Sequence, residues 1–290
     1  MNTVTFAGEK GSYSELAALE YFGPSVDLRS VSEFEDVFKS VKQGKTTFGI
    51  VPIENSLAGS IHQNYDQLLE SKLHIVGEIY LRINHYLIAN KGATLKSVNK
   101  VYSHPQALAQ CKQYLKKFHR GSLVPVSNTA LAVKKIRDEK LVDAAAIASM
   151  QAAIDFDMDV LDSNIEDNPY NTTRFLIISR KPVKPASGEI KTSVVFSVKN
   201  MPGALFKALS VFALRDVDLF KIESRPVHGV GFEYLFYLDC KGDIRDIALM
   251  NAVSHLKEIT TFYRLLGSYN VGKEVQPRYK GKSRKNKKPR

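Results

Sequence analysis

Several polar clusters follow strand-like apolar runs, the position at which an open α/β sheet meets its ligands. The most informative is Val51-Pro-Ile-Glu-Asn-Ser-Leu-Ala-Gly-Ser-Ile61. It offers a carboxylate, an amide and a hydroxyl at Glu54, Asn55 and Ser56. Gly59 then lets backbone approach a ligand, and Ser60 can cap the next helix. An ordinary turn rich in polar caps accounts for the same residues equally well. Ser103-His104-Pro105-Gln106 opens a helix. Pro105 suits its first turn and leaves the N–H groups near Gln106 and Ala107 to meet an anion. Taken alone, His104 in that place is more often a cap than a catalyst. Ser127-Asn128-Thr129 offers a second start of the same kind. Asn171-Thr-Thr-Arg-Phe175 passes from a polar loop into an apolar strand. Buried there, Arg174 needs a carboxylate partner, more commonly the protein's own than a ligand's. Thr173 adds a hydroxyl donor beside it.

The elements that must position these groups alternate between strand and helix. Apolar runs at 4–6, 48–52, 75–83, 86–89, 100–102, 123–125, 144–147 and 174–179 read as strands. Ser12-Tyr-Ser-Glu15 and Ser32-Glu-Phe-Glu35 have the spacing of a capping box, and helices are expected over 105–118 and 129–137. This alternation predicts α/β layers with largely parallel sheets over residues 1–180. Residues 181–189, rich in Pro and Lys, form a linker. From 190 to 270 the order becomes β-α-β-β-α-β, the ferredoxin-like arrangement. Here Asn200-Met-Pro-Gly-Ala-Leu205 joins a strand to a helix and Lys221-Ile-Glu-Ser-Arg-Pro226 closes another strand.

Charge and composition exclude several functions. The net charge is +11, but residues 271–290 hold nine Lys/Arg against one acid and so carry +8 of it. A mildly basic body with a basic, disordered tail is expected, which is no specific nucleic-acid surface. No apolar run approaches the ~20 residues that span a bilayer, and no targeting segment is evident, so the cytoplasm is the expected compartment. Cys111 and Cys240 read as buried thiols. The histidines show no ligand spacing, so no metal is expected. The Gly8-Glu-Lys-Gly-Ser12 loop lacks the Walker pattern.

Together these landmarks resemble the prephenate dehydratase family, including its arogenate dehydratase members. The stretches 51–61, 103–106, 128–132, 144–153 and above all Asn171–Phe175 occur in the family's order. The resemblance implies a two-lobed catalytic region like a type II periplasmic binding protein, with lobes at about 1–79 plus 174–180 and at 80–173. It also implies a C-terminal ACT domain. The implied reaction removes carbon dioxide and water from prephenate to give phenylpyruvate; aromatisation drives it, so no cofactor is implied. Thr173, Arg174 and Glu54 would be catalytic. Asn55, Ser56, Gly59, Ser103, His104, Gln106, Thr129, Asn171, Phe175 and Ser12 would bind substrate. All would share one cleft, with the Thr173 hydroxyl and the Arg174 guanidinium facing the 54–56 loop.

By the same resemblance phenylalanine is the expected effector, held by Gly203, Ala204, Leu205, Glu223, Ser224 and Arg225 at the interface of a homodimer or homotetramer. Phe206 stands where the family has valine and is expected to narrow that pocket. Gly59-Ser-Ile-His62 with Asn64-Tyr65-Asp66 looks like the plant-type members, many of which prefer arogenate. Arogenate is therefore the alternative substrate, and a non-catalytic amino-acid sensor is the alternative of a different class.

Overall fold

The computed structural model describes residues 2–118, 121–226 and 233–279. The chain begins with β1 (Thr3–Ala7), α1 (Tyr13–Phe22), β2 (Asp27–Val31), α2 (Phe34–Lys42), β3 (Phe48–Asn55), β4 (Gly59–Ser60), α3 (His62–Ser71) and β5 (His74–Arg82). A second group follows: β6 (Tyr86–Ala89), β7 (Lys100–Ser103), α4 (Pro105–Gln110), α5 (Lys112–Phe118), β8 (Ser122–Pro125), α6 (Thr129–Asp138), β9 (Ala144–Ala148), α7 (Met150–Asp155) and β10 (Asp159–Ser163). Strand β11 (Thr172–Ser179) then returns to the first group. The last third is β12 (Ile190–Ser197), α8 (Ala204–Ala213), β13 (Leu219–Pro226), β14 (Tyr234–Lys241), α9 (Ile247–Ile259) and β15 (Phe262–Asn270), with a final β16 (Glu274–Val275).

Three sheets result. The first has the order β16-β5-β11-β3-β1-β2 with β4 beside β3, the second β10-β6-β9-β7-β8, and the third β13-β14-β12-β15. Two lobes therefore meet along a cleft, and the third sheet is that of an ACT-like domain. The catalytic sheets are mixed rather than largely parallel. Strand β11 runs antiparallel to both β3 and β5, and β6 antiparallel to β9 and β10. The reversals fall where the chain crosses between lobes, since a strand returning from the other lobe enters its sheet from the far end.

Several boundaries differ from expectation for local physical reasons. Strand β5 continues to Arg82 in the first sheet, so the crossing lies at 83–85 and not at 79/80. The helix expected over 105–118 breaks at Cys111, whose φ of −112° ends α4. Ser32 caps nothing, because α2 starts from Glu33 without a side-chain cap. Ser60 likewise gives up the expected cap, and its hydroxyl goes to Glu223 Oε2 at 2.6 Å. Edge strands β2 and β10 carry Asp, Arg and Ser among their residues and lack the apolar run that marks a buried strand. Residues 274–275, expected in a disordered tail, form β16 on β5. Residues 280–290 of that tail lie outside the described residues.

The ACT-like sheet packs α8 and α9 on one face, around Val194, Phe196, Leu238 and Leu256. Its other face lies on the first lobe, where Val195, Tyr237, Leu266 and Tyr269 join Tyr65, Leu68 and Ile75 in one apolar cluster. Gly267 makes the approach possible: a Cβ there would stand 2.0 Å from the Ile75 carbonyl oxygen.

Candidate active site

A cavity of about 320 Å³ lies between the lobes. From the first lobe come Ser12, Tyr13 and Ser14 at the start of α1, with Asn55, Thr173 and Phe175 from β3 and β11. From the second come His104, Gln106 and Gln110 around α4, and Ser127, Asn128 and Thr129 at the start of α6. Helices α1 and α6 thus both aim their first turns at one space. Ser12 and Asn128 cap them, each accepting one backbone N–H, and the other first-turn N–H groups give each start a partial positive charge. The first loop also reaches across the cleft. Ser149 Oγ, which caps α7, donates to the Gly11 carbonyl, and a Cβ on Gly11 would stand 2.6 Å from the Ala152 Cα. Lys134 pairs with Glu9 at 3.1 Å.

A chain of amides fixes the direction of every hydrogen bond at Thr173. Asn55 Oδ1 accepts the backbone N–H of Leu57 at 3.1 Å and of Ala58 at 3.0 Å, so that atom must be the oxygen. Asn55 Nδ2 then donates to Asn171 Oδ1 at 2.7 Å and to Thr173 Oγ1 at 3.0 Å. Asn171 Nδ2 donates onward to Gln110 Oε1 at 3.0 Å, which also lies 2.9 Å from His85 Nε2. Because Thr173 Oγ1 accepts from an amide, its own hydrogen is left to donate into the cavity. The hydroxyl is a preset donor.

Burial holds both cavity histidines neutral. It pushes the pKa of His85 below its ordinary value, against smaller opposing contributions from Gln110 and Glu166, and it lowers that of His104. A neutral His85 donates from Nε2 to Gln110. The sign for stability follows. Between the depressed folded pKa and the ordinary value of about 6.5, the unfolded chain binds the proton and the folded chain does not, so stability falls as pH drops through that window and is level above it. Denaturant unfolding at pH 7.5 and pH 5.5 is expected to show a smaller acid loss for His85→Gln than for the parent. An equal loss in both would place the responsible group elsewhere.

No Asp, Glu, Lys or Arg lines the cavity among the described residues. That contradicts the expectation for Arg174 and Glu54, which lie on the opposite face of the sheet. Strand alternation puts Thr173 and Phe175 into the cavity and Arg174 behind it. There Arg174 is 5% exposed; Nε bonds Glu78 Oε2 at 2.7 Å, and Nη1 meets Asp239 Oδ2 at 2.6 Å. Lys191 Nζ completes the group on Glu78 Oε1 at 2.7 Å. The carboxylate partner Arg174 needs is the protein's own. A bulge decides the other case. The register steps from Arg174↔Glu54 to Phe175↔Pro52, leaving Ile53 extra, so Pro52 and Asn55 share the cavity face and Glu54 turns away to Lys221 Nζ at 2.8 Å.

Other expected residues divide similarly. Ser12, Asn55, His104, Gln106, Thr129, Thr173 and Phe175 line the cavity. Asn171 stands behind it in the amide chain, and Ser103 is buried with its hydroxyl on the Ile147 carbonyl. Ser56 donates to the Tyr170 carbonyl, and Gly59 holds a φ of 79° in the turn between β3 and β4. Neither reaches the cavity. Tyr13, His85 and Gln110 were not anticipated. Gln110 lies one helical turn beyond Gln106, a spacing that could have revealed it.

Residues 4–183 match the family profile described as prephenate dehydratase. The chain belongs to the prephenate dehydratase family. A relative named "Arogenate dehydratase/prephenate dehydratase 2, chloroplastic" from Arabidopsis thaliana is 45% identical over 280 residues, covering 92% of this chain and 72% of its own length. Among solved structures, prephenate dehydratase from Arthrobacter aurescens in complex with L-Phe is 30% identical with a TM-score of 0.86, covering 92% of this chain and 90% of its own. A further structure, described as a novel type of quorum quenching acylase, is 31% identical with a TM-score of 0.84 and covers 93% of this chain and 98% of its own. In this prephenate dehydratase family member no described helix is long and apolar enough to cross a membrane, and no described group of His, Cys, Asp or Glu could hold a metal ion.

The expected effector residues separate in space. Ala204 and Leu205 line a groove of about 130 Å³ with Val198, Asn200, Met201, Tyr234 and Phe236. Gly203, at φ 77°, stands at the cap of α8. Glu223 and Arg225 instead face the first lobe: Glu223 takes Ser60 and Lys221, and Arg225 Nη2 meets Asp66 Oδ2 at 2.6 Å. Ser224 points to the exposed face between them. Phe206 is 75% exposed and is not among the residues that line this groove within one chain.

Proposed function

We propose that this cavity converts prephenate to phenylpyruvate, carbon dioxide and water. The carrying observation is a preset hydroxyl donor in a cavity whose lining has no charged side chain, between two helix starts. Prephenate is a dianion, and the starts of α1 and α6 with their hydroxyls suit its carboxylates. In the reaction the C–C bond to the ring carboxylate breaks, its electron pair enters the ring as a double bond, and the ring hydroxyl leaves and takes up a proton as water. The Thr173 hydroxyl is placed to hydrogen-bond that departing oxygen as charge develops on it. A threonine hydroxyl is too weak an acid to be the lasting source of the proton, which solvent must supply. The same lining favours decarboxylation, because only the partial charge of a helix start, and no cationic side chain, opposes conversion of the ring carboxylate to neutral carbon dioxide.

The lining also supports the keto acid over the amino acid. Arogenate carries an ammonium where prephenate carries a ketone, and an ammonium in this cavity would meet no carboxylate. Separate incubations of the purified protein are expected to yield phenylpyruvate from prephenate faster than phenylalanine from arogenate. The reverse ranking would overturn the substrate assignment, and turnover of neither would overturn the enzymatic reading. The likeness to a described acylase is not supported by Thr173, whose hydroxyl accepts from the Asn55 amide and has no described histidine or carboxylate bonded to it. The groove at Ala204 and Leu205 is the corresponding candidate for phenylalanine. The exposed apolar side chains of Met201, Phe206, Leu214 and Ile247 support self-association through the ACT-like domain.

A further inference from the structure

We infer that the segment beyond the ACT-like sheet is part of the catalytic unit, and that Tyr279 is a positioning residue holding the two lobes closed around the cavity. After β15 the chain turns back to the first lobe. The Gly272 N–H donates to Glu78 Oε1 at 3.0 Å, and the Tyr80 N–H to the Lys273 carbonyl at 3.1 Å. Strand β16 then pairs in parallel with β5 at Tyr80 and Leu81, the last turnings of that strand before the crossing at 83–85. Glu274 Oε1 accepts from the hydroxyl of Thr172, the neighbour of Thr173, at 3.2 Å. Further along, the Arg278 N–H is tied to Glu20 Oε1 at 2.7 Å.

These ties deliver Tyr279 to the junction of the lobes. Its ring packs against the apolar cluster of the first lobe, which includes Tyr13, Phe175 and Ile83, and also against that of the second, which includes Tyr86 and Ala148. It meets the Tyr86 ring edge-on at 6.2 Å. Tyr13 is the first residue of α1 and lines the cavity, so Tyr279 lies behind one of its walls. Besides the two covalent crossings, the described contacts across the cleft include the Lys134–Glu9 pair and the buried bond from Ser149 to the Gly11 carbonyl. A half-buried ion pair such as Lys134 with Glu9 holds weakly in water. An apolar ring shared by both lobes is a stronger tie than that ion pair, and it reaches the hinge from the far end of the ACT-like domain.

The consequence is a population effect. If closure precedes tight binding, apparent affinity scales with the closed fraction. This builds on the proposed reaction for its kinetic readout. With prephenate, Tyr279→Ala is expected to raise KM about tenfold while kcat stays within about twofold. Tyr279→Phe keeps the ring and loses only the hydroxyl's hydrogen bond with Tyr86, so its KM should lie much nearer the parent's than that of Tyr279→Ala. Removing 280–290 should match the parent, whereas removing 272–290 should reproduce or exceed the alanine effect. An independent measurement uses spin labels at Gln43→Cys and Lys96→Cys, both exposed and in different lobes, since Cys111 and Cys240 are buried. Without any substrate, Tyr279→Ala should lengthen and broaden the distance between the labels. Unchanged KM together with an unchanged distance would overturn the inference, as would a lowered thermal midpoint with neither of these changes. If the parent turned over no substrate, the reaction assignment would fall, and the label distances would still decide the role of Tyr279.

Discussion

Thr173→Val is expected to lower kcat for prephenate by about 10²–10³, the range for losing one preorganised donor to a developing oxyanion, with KM changed far less. Valine keeps the shape and removes the one hydrogen that the amide chain leaves free for the cavity. The fold should tolerate the change, because Asn55 Nδ2 keeps its bond to Asn171 Oδ1 at 2.7 Å and its contact with the Thr172 carbonyl at 3.3 Å. Thr173→Ser, which keeps the hydroxyl with a freer rotor, should retain most of the rate. Steady-state kinetics on the three proteins, with thermal midpoints measured alongside, decide the point. A valine variant within threefold of the parent would remove Thr173 from the chemistry. A valine variant that failed only because it unfolded would leave the serine variant's rate to decide.

What could be read from the residues themselves was what local geometry controls. Caps at Ser12 and Asn128 and the proline at Pro105 mark helix starts through their own chemistry, and those starts do face the cavity. The β-α-β-β-α-β order was equally legible, because each strand there carries its own apolar pattern. Facing was another matter. Asn55 and Glu54 adjoin in sequence, and only the extra residue at Ile53, visible once β3 is paired with β11, decides which enters the cavity. His85 and Tyr13 are brought together from 72 positions apart, with 3.3 Å between Nδ1 and the hydroxyl. No spacing rule reaches that far. The 272–279 segment escaped notice for the opposite reason: its polar and proline-containing sequence reads as tail, while its stability comes from the β5 edge and the lobe junction it covers.

Arg174→Met should act on stability and spare the chemistry, the reverse of Thr173→Val. The parent cluster balances two cations, Arg174 and Lys191, against two carboxylates, Glu78 and Asp239, all nearly sealed from water. Burial pushes the Asp239 carboxyl up, but Arg174, the Ser193 hydrogen bond and Lys191 outweigh it and hold its pKa below the ordinary value. Methionine fills most of the space and leaves Glu78 with Lys191 and the Gly272 N–H, while Asp239 loses its contacting cation. Breaking a buried pair in this way costs about 3–5 kcal/mol. The pH dependence identifies the cause. In the parent, Asp239 contributes stability above its unfolded pKa that is lost as pH falls through the lower folded value; in the variant burial dominates, the folded pKa rises, and protonation relieves the fold. The deficit of Arg174→Met is therefore expected to be largest near neutrality and to shrink on acidification, and adding Asp239→Asn should recover part of it. Denaturant unfolding across that range checks both statements. Since Asp239 and Lys191 belong to the ACT-like sheet and Glu78 and Arg174 to strands β5 and β11, the same ion pairs join that sheet to the strand that carries Thr173. A large rise in KM with stability unchanged would instead mean that the guanidinium touches substrate, and the two-faced reading of β11 would fail.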